Sequence, residues 1–167
     1  EKIYFDVIEE VKKQVKIPIA IKISFYFSNL AIMLKKFSET GIKGIVLFNR
    51  FYSPDIDIDT LEITSANVLS NPWDFTNSLR WIAIIKDHIT CDIAASTGVH
   101  DGPSLVKMIL AGAKAVQVAT AFYKNGIDYA SEMLRFLQTW MNKKGYKKID
   151  DFHGILSQHS VSNPAAF

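Results

Sequence analysis

Short apolar runs of β-branched residues, each followed at once by a helical segment, constrain this chain more than any other feature. The first run is Ile17-Pro-Ile-Ala-Ile-Lys-Ile-Ser24. Residues 28–39 follow, carrying Leu30, Met33, Leu34 and Phe37 at helical spacing, with Gly41 as a C-terminal stop. Residues 42–49 form a second run. A polar excursion from Arg50 to about Asn71 comes next, in which Leu61, Ile63 and Val68 suggest a short hairpin. Residues 75–87 read as a helix, 89–97 as a third strand and 103–110 as its helix. Residues 113–121 read as a fourth strand and 129–143 as the last long helix. Strands this apolar are covered on both faces, and their alternation with helices predicts right-handed βαβ units on a parallel sheet.

A parallel α/β sheet is either open and doubly wound or closed into a barrel. No Gly-rich dinucleotide turn follows any strand, which disfavours the first. Four βα units are half of a (β/α)8 TIM barrel, which typically needs about 250 residues, and the chain has 167. A weak internal repeat supports stacked units: Thr40-Gly-Ile-Lys-Gly-Ile-Val and Ala111-Gly-Ala-Lys-Ala-Val-Gln each join a helix end to a strand through glycine. The opening residues fit the same picture. Ile3, Val7, Ile8, Val11 and Val15 recur at helical spacing from the start, so the chain is expected to open inside an amphipathic helix and to lack what precedes it. Half a barrel leaves two sheet edges and an uncovered interior. Such a unit is expected to need its other half, or a second copy, to be stable.

Composition excludes several classes. With 49% hydrophobic and 22% charged residues the chain is expected to bury a real core rather than stay disordered. A net charge of +2, with no long basic run, predicts no nucleic-acid partner; Lys12-Lys13 and Lys143-Lys144 read as solvated helix faces. No apolar stretch approaches the ~20 residues that span a bilayer, so no membrane partner is expected. The single cysteine, Cys91, rules out an intrachain disulfide and fits a reducing, cytoplasmic setting.

Barrel chemistry sits at the C-terminal strand ends. In the first run Ile17, Ile19, Ile21 and Ile23 share the face toward the helices, which leaves Ala20, Lys22 and Ser24 pointing inward. An inward lysine near a strand end needs an anionic or acceptor partner unless it snorkels out to water. Asn49 ends the second strand, as either a ligand-facing amide or a turn residue. The third and fourth strands end in small residues, Ala94-Ala-Ser-Thr-Gly98 and Ala119-Thr-Ala121. Such turns let backbone N–H groups approach a phosphate, and side-chain bulk at Gly98 is expected to fill the space an anion needs. His88, His100, His153 and His159 lack metal-ligand spacing, and Asp55, Asp57 and Asp59 lack the glycine and terminal glutamate of a calcium loop.

Taken in order, these residues resemble the class 1 dihydroorotate dehydrogenase family. Ile19-Ala-Ile-Lys-Ile-Ser-Phe-Tyr-Phe27 is similar to the strand that carries a flavin-contacting lysine, with Phe25 where the family has proline. Phe48-Asn49 resembles the strand-end asparagine, and Ser96-Thr-Gly-Val99 stands in place of a Gly-Gly phosphate turn. Gln117-Val-Ala-Thr-Ala121 matches a Gln-Ile-Gly-Thr-Ala segment, and Lys144-Gly-Tyr-Lys-Lys-Ile-Asp-Asp-Phe-His-Gly154 is the most family-specific stretch. The resemblance runs from about Ile17 to Leu156. It implies the C-terminal half of an FMN-binding barrel, a dihydroorotate-like small-molecule substrate, pyrimidine biosynthesis and a homodimer. It implies Lys22 beside the flavin ring, Asn49 on substrate or flavin, and Thr97, Gly98, Ala119 and Thr120 at the ribityl phosphate. The family's catalytic Cys or Ser belongs to the other half; Cys91, at the start of a strand, does not take that role. Val68-Leu-Ser-Asn-Pro-Trp73 replaces a Gly-rich loop of the family, which leaves the exact substrate open. A non-catalytic flavin- or phosphate-binding module is the alternative.

Overall fold

The structure, a computed structural model, describes residues 1–66 and 68–167; Asn67, in the polar excursion, lies outside them. Helix α1 (Lys2–Gln14) leads to β1 (Ala20–Ile23), α2 (Leu30–Glu39) and β2 (Gly44–Leu47). A hairpin of β3 (Pro54–Asp57) and β4 (Glu62–Ser65) follows, then α3 (Phe75–Ile85), β5 (Asp92–Ala95) and α4 (Gly102–Ala111). The chain ends with β6 (Ala115–Val116), α5 (Thr120–Asn125), α6 (Tyr129–Lys144) and short 3-10 turns. The main sheet runs β1-β2-β5-β6 with every pair parallel, as the alternation predicts.

Local chemistry starts and stops the connecting helices. The Asn29 side chain accepts from the Ile32 N–H at 3.1 Å to open α2. At α4 the Asp101 carboxylate accepts from the Ser104 N–H at 2.8 Å, while Gly112, at φ 124°, releases the chain toward β6. Ile23, Ile45, Leu47, Ile93 and Ala95 turn outward from the sheet and pack with Leu34, Phe37, Ile82 and Met108. A second cluster joins Val106 and Ile109 of α4 to Leu137 and Met141 of α6 and to Phe152 of the tail. Phe152 is fully buried and sits 5.0 Å from the Trp140 ring and 5.3 Å from the Tyr146 ring. The C-terminal tail is thus a cover for α4. Among the described residues no helix is long and apolar enough to cross a membrane.

The register places Lys22 beside Val46, Val46 beside Ala94 and Ala94 beside Ala115, so these side chains share the inner face with Gln117. On a flat sheet β1 and β6 would lie about 14 Å apart, three strand spacings of ~4.8 Å. Yet Lys22 Nζ donates to Gln117 Oε1 at 3.2 Å. The sheet is therefore curled into an arc, with its inner face concave.

Three expectations need correction. Ile17 is 72% exposed and precedes β1, which begins at Ala20 and lies at an edge of the sheet among the described residues. The fourth strand pairs over two residues instead of running through 121; after the Gln117 N–H to Ala95 carbonyl bond the chain turns into α5 at Thr120. Val68 stands outside the hairpin, whose strands end at Ser65. At the hairpin tip, N–H groups of Thr60 and then Asp59 hold the Asp57 carboxyl below its ordinary range, which makes it a turn residue.

The fold also contains an acid-sensitive link. Buried Ser157 donates to Asp87 Oδ2 at 2.6 Å, tying the C-terminal tail to the end of α3. Burial pushes the Asp87 carboxyl up, but the Ser157 hydroxyl, Lys86 and His159 together hold it below its ordinary value near 3.8. A carboxylate depressed in the folded state adds stability above the unfolded pKa and loses it as pH falls through the folded one. Ser157→Ala is therefore expected to begin acid unfolding at higher pH than the wild type, with little change near neutrality beyond a constant offset. Acid titration followed by circular dichroism checks this; superimposable acid limbs would refute it.

Candidate functional site

The C-terminal strand ends open onto one cleft of about 420 Å³, and all six sequence-derived candidates line it: Lys22, Asn49, Thr97, Gly98, Ala119 and Thr120. Each arrives there for a local reason. Lys22 is the last inward residue of β1. Asn49 follows β2, its N–H bonded to the Ile23 carbonyl at 2.7 Å, which continues the ladder two residues past the strand. Thr97 and Gly98 follow β5 with φ of 79° and 75°, a consecutive left-handed pair. The Thr97 hydroxyl donates to the Phe48 carbonyl at 3.1 Å, fixing this turn to the β2 end.

Two features give the cleft its chemistry. Among the described residues, the N–H groups of Thr97, Gly98, Ala119 and Thr120 have no protein acceptor. Unpaired main-chain donors at two neighbouring turns suit an oxyanion. At the β1 side Lys22 brings a cation, which donates to the neutral Gln117 amide at 3.2 Å. Lys22 is exposed, whereas the alternation argument expects it enclosed; four strands leave the concave face open to water.

Gly98 serves a different purpose from the one expected. A Cβ there would lie 2.1 Å from the Phe75 nitrogen and 2.7 Å from the Asp74 carbonyl carbon. The glycine admits the main chain at the start of α3, and a side chain would strike that backbone before it reached an anion.

The cleft contains residues that sequence reasoning did not select. Arg50 lines it with its guanidinium 3.3 Å from Asp74 and 2.9 Å from the Val68 carbonyl. Its place directly after Asn49, at a strand's C-terminal end, was a usable signal. Ser70 also lines the cleft and bonds to Thr120 and His100. Those partners lie 50 and 30 residues away, so no local pattern pointed to them. Cys91 sits before β5, at the opposite end of the strands from the cleft. Burial, then the neighbouring Asp92 carboxylate, push its thiol up and disfavour the nucleophilic thiolate.

A curled parallel sheet whose strand ends open onto one cleft defines the class as an α/β-barrel protein. The comparisons sharpen that class: the family model described as dihydroorotate dehydrogenase matches residues 1–141, and the chain belongs to that family. It is 31% identical over 153 residues to the catalytic subunit of dihydroorotate dehydrogenase B (NAD(+)) of Thermoplasma volcanium, covering 90% of this chain and 50% of that one. The same subunit from Saccharolobus solfataricus is 29% identical over 157 residues, covering 92% and 53%. The chain thus spans about half the length of the curated relatives it matches. Among solved structures, ligand-free DHODH from Eimeria tenella superposes with a TM-score of 0.65 at 21% identity, over 81% of this chain and 37% to 39% of the Eimeria chain when its ferulenol complex is included. That likeness carries the fold: the four parallel strands are half of a (β/α)8 barrel.

Proposed function

We propose that this chain is the C-terminal half of a single FMN-binding barrel domain that oxidises dihydroorotate, or a closely similar dihydropyrimidine, in pyrimidine biosynthesis. The observation that carries the reading is the pairing, in one cleft, of unpaired N–H groups at two turns with a lysine across the same concave face. These residues fit FMN. Thr97, Gly98, Ala119 and Thr120 would hold the phosphate through main-chain donors. Lys22 would face the ring, where its positive charge favours the more negative reduced form. When bound, FMN supplies the two-electron acceptor for the substrate's carbon–carbon bond. Asn49 offers donors and an acceptor that orient a planar ring, and Arg50, braced by Asp74, adds a cation beside it. The proton-abstracting group belongs to the preceding half, and no residue of this chain is given that role. A homodimer in the cytoplasm completes the proposal.

The test is an absorption spectrum of the full-length protein, this chain with the half that precedes it, purified without added flavin. A flavin spectrum is expected, with FMN as the species released on denaturation and bleaching on addition of dihydroorotate without oxygen. Bound FMN that dihydroorotate fails to bleach would mark a flavin-binding module or another substrate. A colourless protein that FMN cannot reconstitute would refute the cofactor.

A further inference from the structure

Ser70, Thr120 and His100 form a hydrogen-bond chain whose direction can be deduced. Thr120 Oγ1 receives the Ser70 main-chain N–H at 3.1 Å and the Ser70 hydroxyl at 2.9 Å. A hydroxyl has two lone pairs and one proton. With both lone pairs engaged, Thr120 can only donate its proton, and its side chain lines the cleft with no protein acceptor among the described residues. Ser70 has used its own proton on Thr120, so its oxygen meets His100 Nε2, 2.9 Å away, as an acceptor. Nε2 must therefore carry hydrogen. Ser70 is only 7% exposed, which limits competition from water. The His100 main chain is pinned as well: its N–H reaches Ser104 Oγ at 3.2 Å, inside the cap of α4.

We infer that His100 is a positioning residue that acts through Ser70 to keep the Thr120 hydroxyl donating into the cleft, selecting a phosphate monoester there. This rests on the FMN reading above and adds to it. With the imidazole in place, donation runs one way, from His100 to Ser70 to Thr120 to the ligand. Without it the Ser70–Thr120 bond can reverse, and the Thr120 proton then turns inward to Ser70. The cleft loses a committed donor while its main-chain donors stay.

Affinities of the full-length apoprotein for FMN and for riboflavin, which lacks the phosphate, test this. His100→Ala is expected to lower the FMN-over-riboflavin preference about three- to tenfold, somewhat less than outright loss of a hydrogen bond to a charged group. His100→Gln, whose amide N–H extends to a similar reach, should restore most of the preference. Combining His100→Ala with Ser70→Ala should cost no more than Ser70→Ala alone, because the histidine acts only through that serine. Equal weakening of both flavins by His100→Ala, or additive effects in the double variant, would overturn the relay while leaving the FMN reading intact. A wild-type protein that binds neither flavin would overturn both together.

Discussion

Gly98→Ala is expected to destabilise the full-length protein by about 4 kcal/mol or more, a loss seen only when a core or backbone feature is broken. Two effects add. The residue sits at φ 75°, where a Cβ alone costs roughly 1–2 kcal/mol. The new Cβ would also stand 2.1 Å from the Phe75 nitrogen and 2.7 Å from the Asp74 carbonyl carbon, main-chain atoms that cannot rotate away. Gly145→Ala provides the control: at φ 78° and ψ 14° it is left-handed too, but a Cβ there meets nothing within 4 Å. Denaturant unfolding of both variants should separate the penalties, with Gly145→Ala losing about 1 kcal/mol. Equal losses would show that the start of α3 moves aside. FMN and riboflavin should weaken together in Gly98→Ala, because the fold, and not only the phosphate end, is damaged.

Lys22→Ala is expected to lower the flavin midpoint potential of the full-length protein by at least about 30 mV, which for a two-electron couple is ~1.4 kcal/mol. The size follows from screening. Unit charges ~4 Å apart interact by about 1 kcal/mol in bulk water and about 4 kcal/mol near a protein surface. Lys22 is exposed on the open arc and is held by an uncharged partner, and among the described residues no carboxylate pairs with it. Closing the barrel removes water from that face and moves the value upward within this range. Spectroelectrochemical titration measures it directly. An unchanged potential with flavin still bound would remove Lys22 from the ring edge.

What the sequence carried by itself was periodicity. Alternation at two residues in Ala20–Ile23 put Lys22 on the inner face, and spacing of 3.6 in residues 30–39 set the buried side of α2. Glycine and cap residues marked the helix ends, and the order of elements led to a parallel sheet with function at its strand ends. These are local properties, set by neighbours a few residues apart. Ile17 shows the limit, because its composition matches β1 while its pairing depends on a neighbouring strand.

Only the tertiary structure decided what each candidate touches. Gly98 read as room for a ligand, but the start of α3, more than twenty residues earlier in the chain, occupies that space. Arg50 gained Asp74, and Thr120 gained Ser70 and through it His100, by contacts across the strand ends. The openness around Lys22 also came from the arc rather than from its own strand. Propensity acts along the chain within one turn or one pleat, whereas a site is assembled from side chains that the curled sheet brings together across it. Such distances appear in a sequence only as separations, and separation alone carries no direction in space.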